Sequence, residues 1–311
     1  MKIAFLLYPV QNVKVDEDSS FWIMHELLLR GHEVFYFESK DLFRNESHAA
    51  ARLTPARLHI KKGYLPSPAL QTPIKLTDLD CLFIRKEPPF DIEYLTALQI
   101  LEGIKNKVFV LNDPQGIALS NEKLFSLEFS KYIPETLVTQ DIAQAKAFVA
   151  RLKKPVVIKP LHEKGGVGIS SSGPKDRNLP SLLESATDFS RRKIVIQRFV
   201  SADRFGDKRI VVLDGRPLGA FLRKPSASDF RANLSKGGLM QRAKLTPWDK
   251  KLVEEMAPKL SSRGLYFAGL DVIGKYLTEV NVTSPAGIPE VNHFTGLKIQ
   301  KEVADFIEKK V

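Results

Sequence analysis

Apolar runs alternate with amphipathic stretches through the first third of the chain. Apolar residues recur at helical spacing over 19–31, with Ser19 or Ser20 as the cap and Gly31 as the end, and a second helix is predicted over 91–105. Residues 44–75 are polar, contain prolines and show no clear period, so a long surface excursion is expected there. Strands are predicted at 2–8, 32–39, 78–86 and 107–112. Strands that alternate with helices predict an open parallel sheet.

After about residue 120 the pattern changes to a helix, a strand, a glycine-rich loop and a long strand-rich region. A helix is predicted over 246–264, with Thr246 as its cap, Pro247 at its first position and Gly264 at its end. Further strands are predicted at 155–160, 193–200, 208–215 and 216–225, followed by a hairpin of 267–274 with 276–282. The fold class is therefore α/β, with a domain break expected between residues 112 and 120.

Composition and charge narrow the class of protein. The 311 residues are 43% hydrophobic and 27% charged, which is ordinary for a soluble globular protein. No apolar run approaches the roughly 18 residues that a membrane helix needs. The net charge is +11, but the basic residues are scattered, so we expect no nucleic-acid partner. Two interpretations of this charge remain: solvated surface, or a basic cleft that attracts an anionic small molecule. The single Cys81 fits a buried thiol in a reducing cytosol.

A glycine-rich loop follows the strand that ends near Lys159. Gly165, Gly166 and Gly168 let backbone N–H groups approach an anion closely, and a lysine just upstream can neutralise a phosphate. No G-K-[S/T] follows the glycines, so this is not a Walker A loop. A plain hairpin turn is the competing interpretation. Lys123, which is expected one turn into a helix, has the competing interpretation of a solvated surface lysine.

The hairpin near the end of the chain carries three oxygen-bearing side chains. Glu279 and Asn281 share one face of their strand, and Thr278, Val280 and Val282 share the other. A two-residue loop would place Asp271 opposite Thr278, whereas a three-residue loop, Gly274 to Tyr276, pairs Asp271 with Glu279. We expect the three-residue loop. Asp271, Glu279 and Asn281 would then suit Mg²⁺, a hard ion that shares phosphate oxygens. A polar outer face of the sheet is the alternative.

These segments, taken in order, resemble the ATP-grasp ligases, and among them the bacterial glutathione synthetases. The resemblance covers nearly the whole chain. Its most specific stretches are EPPFD (87–91), NEKL (121–124) and TEVNVTSP (278–285), and IQRFV (196–200), GDKR (206–209) and FRANLSKGG (230–238) agree with it. It implies an N-terminal substrate-binding α/β domain of residues 1–118. It also implies an ATP-grasp fold of two α+β subdomains, residues 119–195 and 196–311.

The resemblance also implies roles for individual residues. Lys123 and Lys159 would contact the phosphates of ATP, and Gly165 and Gly166 would belong to a mobile phosphate lid. The adenine hinge would comprise Gln197, Phe199 and Val200, with Asp207 beside the ribose. Arg209 and Arg223 would be catalytic, and Asp271, Glu279 and Asn281 would bind Mg²⁺ or Mn²⁺. The substrate-binding residues would be Ser19, Ser20, Arg85, Arg231, Asn233, Gly237 and Gly238.

The implied reaction joins a γ-glutamylcysteine-like acid to a glycine-like amine, with ATP converted to ADP and phosphate. A cytoplasmic homo-oligomer without a membrane or nucleic-acid partner is expected. This sequence departs from the family pattern at Tyr8, where an Asp is usual, at Ala118-Leu119, where Arg-Asp is usual, and at Pro289, where an Arg is usual. A ligase for a different acid and amine, and a non-catalytic nucleotide-binding regulator, therefore remain as alternatives.

Overall fold

The first third of the chain builds a mostly parallel sheet. The computed structural model describes residues 1–10, 13–59, 63–64, 70 and 72–311. The helices here are α1 (Ser19–Leu29), α2 (Ile92–Glu102) and α3 (Pro114–Leu119). The strands are β1 (Lys2–Leu6), β2 (Glu33–Phe37), β3 (Leu42–Arg44), β4 (Ala49–Ala51), β5 (Thr54–Pro55), β6 (Leu58–His59), β7 (Gly63–Tyr64), β8 (Ile74–Lys75), β9 (Cys81–Ile84) and β10 (Phe109–Leu111). The sheet order is β10-β9-β1-β2-β5, and only β5 runs antiparallel to its neighbour. The predicted parallel sheet is confirmed.

Two local predictions in this region are wrong. The cap of α1 is Asp18, whose side chain accepts hydrogen bonds from the N–H groups of Ser20 and Phe21. Ser19 and Ser20 are instead the first helical residues. The stretch 44–75 is not all surface, because Ala49–Ala51 and Leu53 are buried in the core. Three consecutive alanines carry no hydrophobic period, which is why the pattern did not reveal them; residues 60–62, 65–69 and 71 lie outside the described part.

The middle of the chain forms a separate antiparallel sheet. Its helices are α4 (Ile142–Leu152) and α5 (Leu179–Ala186), and a 3₁₀ helix, Phe125–Tyr132, precedes it. Its strands are β11 (Thr136–Thr139), β12 (Val156–Pro160), β13 (Ser170–Ser172) and β14 (Ile194–Arg198), in the order β11-β14-β12-β13. The expected boundary at residue 195 lies within β14, which pairs with both β11 and β12.

A five-stranded antiparallel sheet completes the fold. Its strands are β15 (Asp207–Leu213), β16 (Arg216–Lys224), β17 (Leu239–Arg242), β18 (Phe267–Ile273) and β19 (Tyr276–Asn281), in the order β17-β16-β15-β18-β19. The helices are α6 (Ala202–Phe205), α7 (Pro247–Ser262), α8 (Ile288–Thr295) and α9 (Gln300–Lys310). Thr246 and Asp249 form a capping box at the start of α7, which confirms the predicted helix start.

The three sheets differ in how they share a core. Leu6 and Leu82 of the first sheet are buried in the same apolar cluster as Ile210 and Leu270 of the third. The central sheet has its own small core, built from residues such as Val149 and Ile158. Among the described residues, the central sheet shares no apolar cluster with the other two sheets. This arrangement leaves room for a cleft.

Asn112 links the first sheet to the third. Its side chain is only 2% exposed. The amide Nδ2 donates to the carbonyl oxygens of Phe267 (2.7 Å) and Val282 (2.9 Å), and Oδ1 accepts from the N–H of Phe267 (2.8 Å). One buried side chain therefore holds the outer ends of β18 and β19 in place, next to the candidate metal ligands.

Candidate active site

A cleft of about 860 Å³ lies between the central sheet and the third sheet. It brings together residues that are far apart in the sequence. Of the predicted site residues, those that line it are Lys123, Lys159, Gly165, Gly166, Gln197, Phe199, Val200, Asp207, Arg231, Asn233, Asp271 and Glu279. The resemblance, together with residue type and spacing, thus predicted much of the lining of one cavity.

One end of the cleft has apolar walls. Val157, Ile169 and Ile273 line it together with Phe199 and Val200. The first three were not predicted as site residues. Val157 and Ile273 look like ordinary strand residues in the sequence, and only the alternation of side chains on β12 and β18 could have indicated that these two face away from the core. Ile169 directly precedes β13, at the end of the glycine-rich loop. Apolar walls of this kind suit a flat heterocycle such as a nucleotide base.

Lys159 and Lys123 place two ammonium groups in the cleft. The Nζ of Lys159 donates to Oε1 of Gln197 (3.0 Å), and burial lowers the pKa of Lys159, although the nearby charge of Glu279 opposes this. The Nζ of Lys123 donates to the carbonyl oxygen of Glu163 (2.7 Å) and lies 3.1 Å from Oε1 of Glu279. The two cations therefore reach the cleft from different segments.

Two of these positions differ from expectation. Lys123 does not lie in a helix; it lies in a turn between α3 and the 3₁₀ helix, where the Oδ1 of Asn121 accepts from its backbone N–H (3.1 Å). Gln197 is 2% exposed, and its side chain orients Lys159 through Oε1 while its Nε2 donates to Oγ1 of Thr136 (2.9 Å). The role of Gln197 in the structure is therefore to position the lysine.

The glycine-rich loop joins β12 to β13 and is covered by the loop 225–238. Gly165 and Gly166 have positive φ angles of 61° and 80°. A Cβ on Gly166 would lie 2.7 Å from Oδ1 of Asn233. Arg231 reaches the same glycine, because its Nη1 donates to the carbonyl oxygen of Gly166 (2.7 Å). The two loops meet over the mouth of the cleft.

Four charged side chains form a network at the floor of the cleft. Arg209 holds Asp271 with two hydrogen bonds, Nε to Oδ1 (2.6 Å) and Nη2 to Oδ2 (3.1 Å). The Nη2 of Arg223 lies 2.8 Å from Oδ1 of Asp271 and 2.7 Å from Oδ2 of Asp207. Burial would raise the pKa of Asp271, but the two guanidinium charges outweigh it and hold this pKa well below its usual value. Asp271 is therefore a carboxylate at any working pH.

Two buried atoms of this network have no hydrogen-bond partner among the described residues. They are Oδ1 of Asp207 and Nε of Arg223. Burial raises the pKa of Asp207, although the charge of Arg223 opposes this shift. Buried polar atoms without partners are costly. Their position beside the cleft indicates that a polar ligand supplies the missing hydrogen-bond partners of these two atoms.

The hairpin of β18 and β19 contains both a confirmed pairing and an error. Asp271 does lie opposite Glu279, and Gly269 lies opposite Asn281, as predicted. However, Ile273 pairs with Tyr276, so the loop has only two residues. The pairing contains a β-bulge between Asp271 and Val272, and this bulge brings Asp271 opposite Glu279. Thr278 is the extra residue. It lines the cleft beside Glu279, so the expectation that it shares a face with Val280 is wrong.

The donor set beside Asp271 fits a hard divalent cation. The Nδ2 of Asn281 donates to Oδ2 of Asp271 and to the carbonyl oxygen of Gly269 (both 3.2 Å), which leaves its Oδ1 without a partner in the described part of the chain. The described residues hold no group of three His, Cys, Asp or Glu side chains arranged for a metal. A metal here would therefore take two carboxylates, the amide oxygen, and phosphate or water oxygens, which is the usual environment of Mg²⁺.

Of the residues expected to bind substrate, Arg231 and Asn233 line this cleft, and the other five lie apart from it. Ser19, Ser20 and Arg85 are fully or almost fully buried. The Nε of Arg85 donates to Oγ of Ser20 (2.9 Å), and the Oγ of Ser19 accepts from the N–H groups at the start of α8 (3.0 and 3.1 Å). Gly237 and Gly238 follow the 3₁₀ helix Leu234–Lys236 and do not line the cleft. The structure thus does not gather these residues with the cation cluster.

The sheets and the cleft between them define an ATP-grasp fold. D-cycloserine synthetase matches with a TM-score of 0.67 at 13% identity, over 98% of this chain and 99% of that one. An ATP-grasp protein with a RimK domain from Sphaerobacter thermophilus matches with a TM-score of 0.62 at 16% identity, over 99% of each chain. These likenesses concern the fold.

Sequence similarity then narrows the class. Residues 1–118 match the N-terminal domain, and residues 122–296 the ATP-grasp domain, of prokaryotic glutathione synthetase. The glutathione synthetase of Brucella melitensis is 37% identical over 312 residues, covering 100% of this chain and 99% of that protein. That of Synechocystis is 38% identical over 320 residues, covering both chains in full. The chain belongs to the prokaryotic glutathione synthetase family.

Proposed function

We propose that this protein is an ATP-dependent ligase that joins γ-glutamylcysteine to glycine, with ATP converted to ADP and phosphate. Membership of the family supports the reaction. One observation carries the site assignment: the ammonium groups of Lys123 and Lys159 share a cleft with Asp271 and Glu279. Such a cleft can hold a nucleotide's phosphates next to a divalent cation.

The proposed chemistry explains why the cleft is so rich in charge. A carboxylate is a poor acyl donor, so its oxygen first attacks the γ-phosphate to give an acyl phosphate, which the amine then attacks. Both steps concentrate negative charge, and fixed cations stabilise it. Lys123 and Lys159 would hold the phosphates. The unpartnered Nε of Arg223 is suited to donate to the acyl phosphate, and Arg209 keeps Asp271 ionised.

We assign Asp271, Glu279 and Asn281 as ligands of Mg²⁺, with Mn²⁺ as the less favoured ion. When bound, such an ion neutralises phosphate oxygens and orients the transferred phosphoryl group. The chain's own contribution is to position the ligands: the bulge at Thr278 aligns Glu279 with Asp271, and Asn112 holds the ends of both strands.

The glycine-rich loop and the loop 225–238 would act together as a lid. The hydrogen bond from Arg231 to Gly166 and the close approach of Asn233 to that glycine would exclude water from the cleft mouth and protect an acyl phosphate from hydrolysis. We place Ser19, Ser20 and Arg85 with Gly237 and Gly238 on the side of the acid and the amine.

The test is an assay of ADP release with purified protein, Mg²⁺-ATP, γ-glutamylcysteine and glycine, with mass spectrometry of the product. Formation of glutathione in a 1:1 ratio to ADP supports the proposal. ADP release only with other acids or amines would assign a different ligase, and nucleotide binding without ADP release would indicate a non-catalytic regulator. The variants Lys123→Met and Lys159→Met serve as low-activity controls.

We also propose a cytoplasmic homo-oligomer. No helix in the described part of the chain is long and apolar enough to cross a bilayer. Cys81 is buried and free, and burial raises the pKa of its thiol, which fits a structural residue in a reducing compartment. Light scattering of the purified protein tests the oligomeric state, and a monomer would contradict this part.

A further inference from the structure

A second cavity of about 520 Å³ lies next to the nucleotide cleft, with Glu163 lining both. Its walls are mostly apolar. They come from the first domain (Pro88, Phe90, Ile117), from the start of the glycine-rich loop (Leu161) and from the end of β19 (Thr283). The cavity therefore touches three parts of the fold. None of the roles assigned above uses it.

Glu122 provides the charged group in this cavity. Its Oε1 accepts from the N–H groups of Val282 (3.1 Å) and Thr283 (3.3 Å) and from Oγ1 of Thr283 (2.7 Å). Its Oε2 has no hydrogen-bond partner among the described residues. Burial and the charge of Glu279 raise the pKa of Glu122. One oxygen of this carboxylate is thus committed to the protein, and the other remains available inside an apolar cavity.

The other titratable groups that line the cavity are His162 and Glu163. The carbonyl oxygen of Glu163 accepts from Nζ of Lys123, and Glu163 also lines the nucleotide cleft. No Lys or Arg lines this cavity in the described part of the chain. The charge of Lys123 acts on Glu122 from outside the cavity, but no cation among the described residues of the cavity wall contacts this carboxylate, which favours a ligand that carries positive charge and an N–H donor.

We propose that this cavity is a second ligand site, separate from the nucleotide cleft, for a small apolar molecule that carries one ammonium group. The apolar body packs against Phe90, Ile117 and Leu161, and the ammonium group donates to Oε2 of Glu122. The ligand contacts the start of the glycine-rich loop. The proposal does not depend on which acid and amine the enzyme joins.

Isothermal titration calorimetry with benzylammonium, and with benzyl alcohol as its neutral counterpart of similar shape, tests the proposal. The ammonium probe should bind about tenfold more tightly than the alcohol, which is the advantage of a charge-assisted over a neutral hydrogen bond. Glu122→Gln keeps an acceptor for Thr283 and should remove this difference. Ala118→Phe should fill the cavity and abolish binding of both probes. Its matched control is Leu119→Phe at the next position, which is 71% exposed and should change nothing.

Three results would overturn the proposal. Equal affinity for the two probes would show that Glu122 does not bind the ammonium group. Unchanged binding of the probes to Ala118→Phe would show that they bind outside this cavity. This second test holds even if Glu122→Gln does not fold. Displacement of the probe by ADP with Mg²⁺, or by γ-glutamylcysteine, would make the cavity part of the nucleotide or substrate site. Retained probe binding in the presence of both supports a separate site.

Discussion

The substitution Glu279→Gln distinguishes between two roles of Glu279: a ligand of the metal ion, and the partner of Lys123 in a structural ion pair. The substitution keeps the shape of the side chain and removes one charge. Oε1 of Glu279 lies 3.1 Å from Nζ of Lys123, and the Glu279 side chain is 25% exposed. In the proposed site, this carboxylate supplies one of only two negative protein ligands. We expect the variant to fold and to lose Mg²⁺-dependent turnover.

The two expected losses differ in size. At an effective dielectric constant of about 20, charges 3.1 Å apart attract by about 5 kcal/mol before desolvation is subtracted. Much of this is offset by desolvation, and Lys123 keeps its bond to the carbonyl oxygen of Glu163. The net cost to stability should then be about 1–2 kcal/mol. Loss of an electrostatic contact to the reacting phosphate should lower turnover by about 10²–10³.

The assay follows ADP release as a function of Mg²⁺ concentration, with thermal unfolding by circular dichroism measured on the same samples. Glu255→Gln is the matched control, because Glu255 is a half-buried partner of Lys131 outside the cleft. It should leave turnover and Mg²⁺ activation unchanged. If Glu279→Gln behaves like this control, Glu279 is not a metal ligand. If it lowers stability far more than turnover, the pair with Lys123 is mainly structural.

Three further predictions concern other parts of the structure. Because burial lowers the pKa of Lys159, its ammonium group loses its proton at a lower pH than the 10.5 of an ordinary lysine. ATP affinity, measured by calorimetry, should therefore fall as the pH rises towards 10.5. Lys159→Arg stays charged and should remove this decline. Asp271→Asn leaves Arg209 without a charged partner and Arg223 with Asp207 alone, and should cost about 3–5 kcal/mol of unfolding free energy. Because the pKa of Asp271 is depressed in the folded state, this loss of unfolding free energy should stay constant in denaturant melts from about pH 5 to 8. It should shrink only as the pH falls below 3.8, the ordinary value for an aspartate. A loss that changes between about pH 5 and 8 would contradict the proposed charge network. A Cβ on Gly116 would lie 2.0 Å from the backbone oxygen of Arg263, whereas one on Gly103 would meet the flexible end of the Arg44 side chain. Gly116→Ala should therefore lower the unfolding free energy by about 1–3 kcal/mol, and Gly103→Ala should lower it by much less. Equal effects of the two substitutions would refute the backbone clash at Gly116.

The hairpin of β18 and β19 shows how far local pattern reasoning reached. Alternation on β19 indicated that Glu279 and Asn281 share a face, and both do lie opposite residues of β18 as predicted. The loop length was wrong, because a bulge at Thr278 and a longer loop produce the same pairing. Only the paired backbones distinguish them, and that pairing is a long-range property of two strands.

The sequence by itself determined the order of strands and helices, the glycine-rich loop, the two lysines and the three oxygen-bearing side chains of the hairpin, since periodicity and residue type are local properties. Tertiary structure decided the rest. The ion pair of Arg209 with Asp271 joins residues 62 positions apart, and the core shared by the first and third sheets joins residues farther apart still. The cavity beside Glu122 likewise exists only because three distant segments pack together. Burial, charge pairing and cavity shape depend on which segments meet in space, and no local pattern along the chain encodes that.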